Sequence, residues 1–201
     1  MTPLRDLTHR TAPADPLSLL KGRVHEAEGP GRRAFALFQA RRHSGTVLWI
    51  LPAYEPQRPM LHGLPEGVSE RLLVLTPKNE TDLLWCVEEA LRANPVGLVI
   101  AEPQQMLSLT AGRRLQLAAE AGQSTGLLLI RTDHGSAATE TRWHCAPLPA
   151  PDADSTLHCW STKKNKKGTI GSWVLNWNGT SAAFDMVSAA GERSQPAQPA
   201  C

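Results

Sequence analysis

No apolar run in this chain approaches the 18 or more residues of a membrane-spanning helix, and the first residues carry no signal-peptide core. A cytoplasmic protein with no membrane association is therefore expected. Aromatic residues make up 5% of the chain, with a single tyrosine. Lysine is scarce as well: there are six, and four of them fall within 163–167. With a net charge of only +2, whole-molecule charge gives no reason to expect a nucleic-acid binder. Cys86, Cys145, Cys159 and Cys201 stand at no metal-ligating spacing and read as reduced thiols. His25, Glu26 and Glu28 do not form the H-E-x-x-H pattern, so they read as strand-end polar residues, and no metal is expected.

What is present fits one domain with a full core and room for tails. Residues 24–27 read as a strand, followed by the turn Gly29-Pro30-Gly31 and a helix over 32–42 that Gly45 should close. The run TVLWIL at 46–51 is apolar and β-branched, as in a strand buried on both faces. A proline-rich excursion follows. Further strands are expected at 71–75, 96–101 and 126–131. Between them lie a helix at 80–93, capped by Asn79, and one at 110–121, capped by Ser108 or Thr110 and closed by Gly122. This alternation predicts an α/β fold, a mostly parallel sheet flanked by helices. The last third differs. A strand at 141–146 and a Pro/Asp linker at 147–154 precede two strands, 156–163 and 171–177, which bracket TKKNKKG as an antiparallel hairpin with a basic tip. Residues 1–21 read as a flexible lead-in, 22–188 as the domain and 189–201 as a disordered tail. Either terminal segment could order on binding a partner.

A strand, a glycine turn and a helix are the parts of a phosphate-binding loop, which also needs a lysine for the phosphates and a hydroxyl for magnesium. Here Gly31 is followed by Arg32, Arg33 and Ala34. The turn thus reads as a vestigial P-loop of Gly29, Gly31, Arg32 and Arg33 with its nucleotide chemistry missing. Lys163, Lys164, Lys166 and Lys167 are the strongest local charge signal and the candidates for DNA contact. Trp160 and Trp173 stand nearby as stacking surfaces or as core. Asp133, His134 and Ser136 lie too close in sequence to form a nucleophile–base–orienter set and read as a loop.

The order of elements from 24 to 178 resembles the core of the RecA recombinase family. TVLWILPAYEP is similar to that family's second strand, PEGVSERLLVLTPKNETDLLWCVEEAL to its next strand and helix, and GLVIAEPQQML to its Walker B strand. GLLLIRTD is similar to its sensor strand, and WSTKKNKKGTIGSWVLNW to its late hairpin. RRLQLAAEAG, SAATETRWHCAP and the closing W…KKG…W hairpin further resemble the ImuA family, RecA/SulA-like proteins of bacterial SOS mutagenesis cassettes. That resemblance implies a RecA-like core with a degenerate P-loop. It also implies work in translesion DNA synthesis with an ImuB-like protein, an error-prone replicative-type polymerase and RecA.

Four departures from RecA oppose catalysis. The P-loop lysine and hydroxyl are absent. Ala101 stands where an acidic residue should follow the Walker B strand, with Glu102 one place late and its side chain expected on the wrong face. Glu55 is the sole, displaced candidate for the activating glutamate, and the sensor glutamine is replaced around 132–133. The expectation is a protein that is not an enzyme and takes no cofactor. The alternatives are a SulA-type division inhibitor binding FtsZ, or a residual ATPase or DNA-binding module.

Overall fold

The apolar runs become the middle of a nine-stranded sheet. The computed structural model describes residues 15–59, 63–149, 155–178 and 183–190. Six strands run parallel: β1 (Val24–Glu28), β2 (Thr46–Ile50), β3 (Leu72–Leu75), β4 (Val96–Ala101), β5 (Thr125–Leu129) and β6 (Thr141–Leu148). From β6 the sheet continues antiparallel through β7 (Ser155–Asn165), β8 (Ser172–Asn178) and β9 (Ala183–Ala190), in the order β3-β2-β4-β5-β1-β6-β7-β8-β9. The expected α/β class, with a mostly parallel sheet and an antiparallel C-terminal part, is what the chain adopts.

Helix α1 (Arg32–Arg42) covers one face of the sheet, and α2 (Glu80–Arg92) with α3 (Leu109–Gly122) covers the other. On the α1 face the scarce aromatics gather. Phe35 stacks between Trp143 and Trp160 at centroid distances of 5.1 and 5.0 Å, and Phe38 meets Trp160 and Phe184 at 4.9 and 5.5 Å. Leu83, Val87 and Leu91 of α2 and Leu115 and Ala118 of α3 form the second core with Val24, Leu48, Ile50, Val99 and Leu128. Asn79 caps α2 by accepting from Asp82 N at 2.8 Å, and Ser108 caps α3 by accepting from Ala111 N at 3.1 Å. Side chains that accept from these otherwise orphaned donors are what start both helices.

Several boundaries differ from expectation. Gly45 does not close α1. His43 is its extended C-cap, and Gly45, at φ +79°, turns the chain two residues later. Gly122 is helical, and Gln123 adopts the left-handed conformation after it. A glycine is required at 122 for another reason: a Cβ there would sit 2.0 Å from the Leu91 carbonyl oxygen, where α3 ends against α2. β6 extends into the expected linker as far as Leu148. It can carry Pro147 because its pairing with β1 stops at His144, so no ladder donor is needed on that side. Strand β9 was not anticipated, and it runs past the expected start of the tail at 189. Leu17 and Leu19, inside the stretch expected to be mobile, are buried in the α1-side core. Residues 1–14 and 191–201, the remainder of the expected lead-in and most of the expected tail, lie outside the described residues. Cys86 and Cys145 are free thiols, as read from the sequence. Among the described residues, no helix is long and apolar enough to cross a membrane.

His25 shows how tightly the centre of the sheet is closed. Its Nδ1 lies 2.7 Å from Thr141 Oγ1 and its Nε2 lies 3.1 Å from the Leu20 carbonyl, which must accept a proton from it. Trp143 Nε1 donates to the same threonine oxygen at 2.9 Å. Burial holds the His25 pKa down to about 4, so the folded chain keeps the ring neutral. The unfolded ring takes up a proton near pH 6.5, so stability is full above that pH and falls as pH drops from 6.5 to about 4. Burial also lowers the His43 and His158 pKa values, which adds to the same trend. Urea unfolding midpoints should therefore decrease between pH 7 and 4.5, and His25→Asn should flatten the curve by up to one proton without abolishing the slope.

Candidate functional site

The C-terminal ends of β1, β2 and β4 converge at the start of α1, where a parallel sheet and a helix N-terminus favour an anion. The anion found there is the chain's own. Glu102 follows β4 and is 2% exposed. Arg33, in the first turn of α1, holds it with a two-pronged contact: Nε lies 3.0 Å from Oε1 and Nη2 lies 2.8 Å from Oε2. Trp49 Nε1, from the buried face of β2, donates to Oε1 at 2.9 Å. Residues after β2 close the other side of the guanidinium, with Gln57 Oε1 at 3.2 Å and Glu55 Oε1 at 3.7 Å.

This corrects the expectation for Glu102. Its carboxylate is on the α1 face, while Ala101 faces α2 and α3, so its side chain does not point to the face expected from the sequence. Both of its oxygens are occupied by Arg33 and Trp49. A bidentate guanidinium is among the strongest partners a carboxylate can have. Glu55 is drawn to the same cation.

The turn itself is closed by internal bonds. Gly31 N donates to the Cys145 carbonyl at 2.9 Å, and Arg32 N and Nη1 both donate to the Gly29 carbonyl, at 3.3 and 3.1 Å. Gly29 has φ +88°, and a Cβ there would lie 2.5 Å from the Cys145 oxygen, so only glycine allows the turn to rest on β6. At the base of the turn Glu28 is buried, with its Oε1 2.6 Å from Lys163 Nζ and 3.6 Å from His144 Nδ1. The lysine contact is an ion pair, not an aligned hydrogen bond. Burial, followed by the charge of Glu28, pushes the Cys145 thiol well above its usual range. That thiol is a packing group, not a nucleophile. Of the four turn residues predicted, Arg33 alone reaches the end of β4; Gly29, Gly31 and Arg32 serve to dock the turn.

The four lysines do not act together. Lys163 turns inward to Glu28, while Lys164 Nζ donates to the carbonyls of Ser136, Ala137 and Thr139 at 3.1, 2.9 and 2.7 Å. Desolvation, then the neighbouring Lys166, lowers the Lys164 pKa. Lys166 Nζ donates to the Ala138 carbonyl at 2.7 Å. Of the four, Lys167 alone has an ammonium with no partner among the described residues. Trp160 and Trp173, 0% and 7% exposed, face the core and offer no stacking platform.

Sequence reasoning missed the network around Glu26. This carboxylate, fully buried in β1, accepts from Ser136 N at 2.7 Å, Thr139 Oγ1 at 3.0 Å and Arg142 Nε at 2.9 Å. It pins the loop that contains Asp133, His134 and Ser136, and Ser136 Oγ accepts from Ala138 N in a local turn. A buried glutamate in a central strand must have partners, which was the available signal.

No protein-family model matches the chain. Over 151 residues it is 31% identical to Protein ImuA of the bacterium Caulobacter vibrioides, equally in two strains. The match covers 67% of this chain and 61% of those proteins, so the chain spans about three fifths of the length of the curated relatives it matches.

Removing one partner of a buried pair strands the other charge. Arg33→Ala should therefore cost about 3–5 kcal/mol in urea unfolding, whereas Arg113→Ala, at an exposed arginine with no ion pair among the described residues, should stay within about 0.5 kcal/mol.

Proposed function

We propose, the chain being ImuA-like, that it is a non-catalytic accessory protein of damage-induced mutagenesis, built on a RecA-like core with a degenerate P-loop. It would act in the cytoplasm with an ImuB-like protein and an error-prone polymerase in translesion synthesis, and engage RecA. The observation that carries the non-catalytic part is the Arg33–Glu102 pair. An NTPase of this layout needs the carboxylate after its fourth strand free for magnesium and a lysine on the phosphates. Here the carboxylate is tied up by a guanidinium in the first turn of α1. Under the turn, Lys163, one of the lysines near it, is likewise taken up by a carboxylate, that of Glu28.

With nucleotide chemistry absent, the role left is to hold other proteins. The test is binding of the purified chain to an ImuB-like protein, to RecA and to FtsZ, with and without magnesium and ATP, alongside phosphate release. The expected result is capture of the ImuB-like protein or RecA with an affinity that nucleotide leaves unchanged, and no phosphate release above the buffer blank. Magnesium-dependent ATP turnover that is lost in Glu102→Gln would overturn the non-catalytic reading. Capture of FtsZ alone would transfer the chain to a division-inhibitor role.

A further inference from the structure

Away from the Arg33–Glu102 end, one face of α3 is left uncovered. Leu109, Arg113 and Leu117 form a single stripe at four-residue spacing, and the two leucines are 48% and 66% exposed. Opposite this stripe lie Ala137, Ala138 and Glu140 of the loop before β6 and Lys166 and Lys167 just after β7. With Arg23 and Gln116 they enclose an open groove of about 660 Å³.

The groove has an asymmetric charge pattern. Arg23, Arg113, Lys166 and Lys167 line it, against the single acid Glu140. Arg23 is paired with Glu120, and Lys166 is held by the Ala138 carbonyl. Arg113 and Lys167 have no side-chain partner among the described residues. Glu140 is 4% exposed, so the acid is sunk below the rim and the exposed charge of the groove is positive.

We infer that this groove is a docking site for an acidic, leucine-bearing segment of a partner protein. The partner's leucines cover Leu109 and Leu117, and its carboxylates meet Arg113 and Lys167. Apolar anchors at helical spacing with a charged rim are the usual composition of a helix-in-groove contact. Nucleic acid fits less well. The aromatic side chains that would stack bases are in the core, the free cations flank exposed leucines, and the floor carboxylate repels phosphate. The inference does not depend on which mutagenesis protein supplies the segment, nor on the nucleotide site being inactive.

The probe is a fluorescein-labelled synthetic helical peptide of Asp, Glu and Leu with leucines at i, i+3, i+4 and i+7. Controls are a scrambled isomer, a version with lysine in place of the acids, and single-stranded and duplex oligonucleotides. Binding to the full chain is read by anisotropy, and the contacted amides are mapped by NMR. The expected result is saturable binding of the acidic peptide, with shifts confined to 109–117, 137–140 and 166–167. Leu117→Asp and Arg113→Glu should each weaken it about tenfold or more, at unchanged melting temperature because both side chains are exposed. Added salt should weaken the peptide's binding to the unaltered chain. Equal binding of the lysine or scrambled peptide, no saturable binding, or indifference to both substitutions would overturn the inference. So would an oligonucleotide that binds and is lost on the same substitutions.

Discussion

Carboxylates buried in the middle of a sheet must each meet a cation, and this chain has three such cases. Glu26 meets Arg142, Glu28 meets Lys163, and Glu102 meets Arg33. Taking an ion out of water costs several kcal/mol, which only a close partner and further hydrogen bonds offset. Each of the three cations therefore comes with its own structural element. Arg33 fixes the start of α1 over β4, Arg142 fixes the loop before β6, and Lys163 fixes β7 against the turn after β1. These requirements knit the turn, the loop and the antiparallel strands into one arrangement.

The second constraint is the join between the parallel and antiparallel halves. β6 belongs to both, parallel to β1 and antiparallel to β7. What secures the join is helix α1, whose Phe35 and Phe38 reach Trp143 on β6, Trp160 on β7 and Phe184 on β9. Aromatic pairs add roughly 0.5–1.5 kcal/mol each beyond their burial. A chain with few aromatics has thus placed many of them where one helix can bind three strand-borne rings. Trp173 of β8 completes the cluster by packing on Trp143 at 5.6 Å.

The parallel half was legible because a strand covered on both faces has to be a short, nearly continuous apolar run, as TVLWI, VGLVIA and TGLLL are. Asn79 and Ser108 were legible as caps because their geometry needs only neighbours in sequence. What failed was long-range. Leu17 and Leu19 look like loop residues until α1 supplies the core they enter. β9 lacks a clean alternation, and its pairing with β8 is interrupted by a register shift between Val174 and Leu175. The lysine run misled because charge was counted along the sequence. A strand's two-residue period sends Lys163 to one side and Lys164 to the other, and the partners Glu28 and the 136–139 carbonyls are more than twenty residues away. Glu102 failed for a similar reason. Its direction could be counted from an assumed strand frame, but the occupancy of its oxygens by Arg33, 69 residues earlier, could not.

The same logic separates the two ends of α3 from the end of α1. Where β1 and β4 finish, the buried carboxylates of Glu28 and Glu102 have internal counterparts in Lys163 and Arg33. Along the groove at α3, Arg113 and Lys167 have no counterpart among the described residues, and Leu109 and Leu117 remain uncovered beside them. Scattered exposed leucines are ordinary on any protein surface. Two on one helical stripe, bordered by two cations that have no side-chain partner among the described residues, form a concentrated set of unsatisfied groups. A partner that supplies carboxylates and aliphatic side chains would satisfy both kinds of group together.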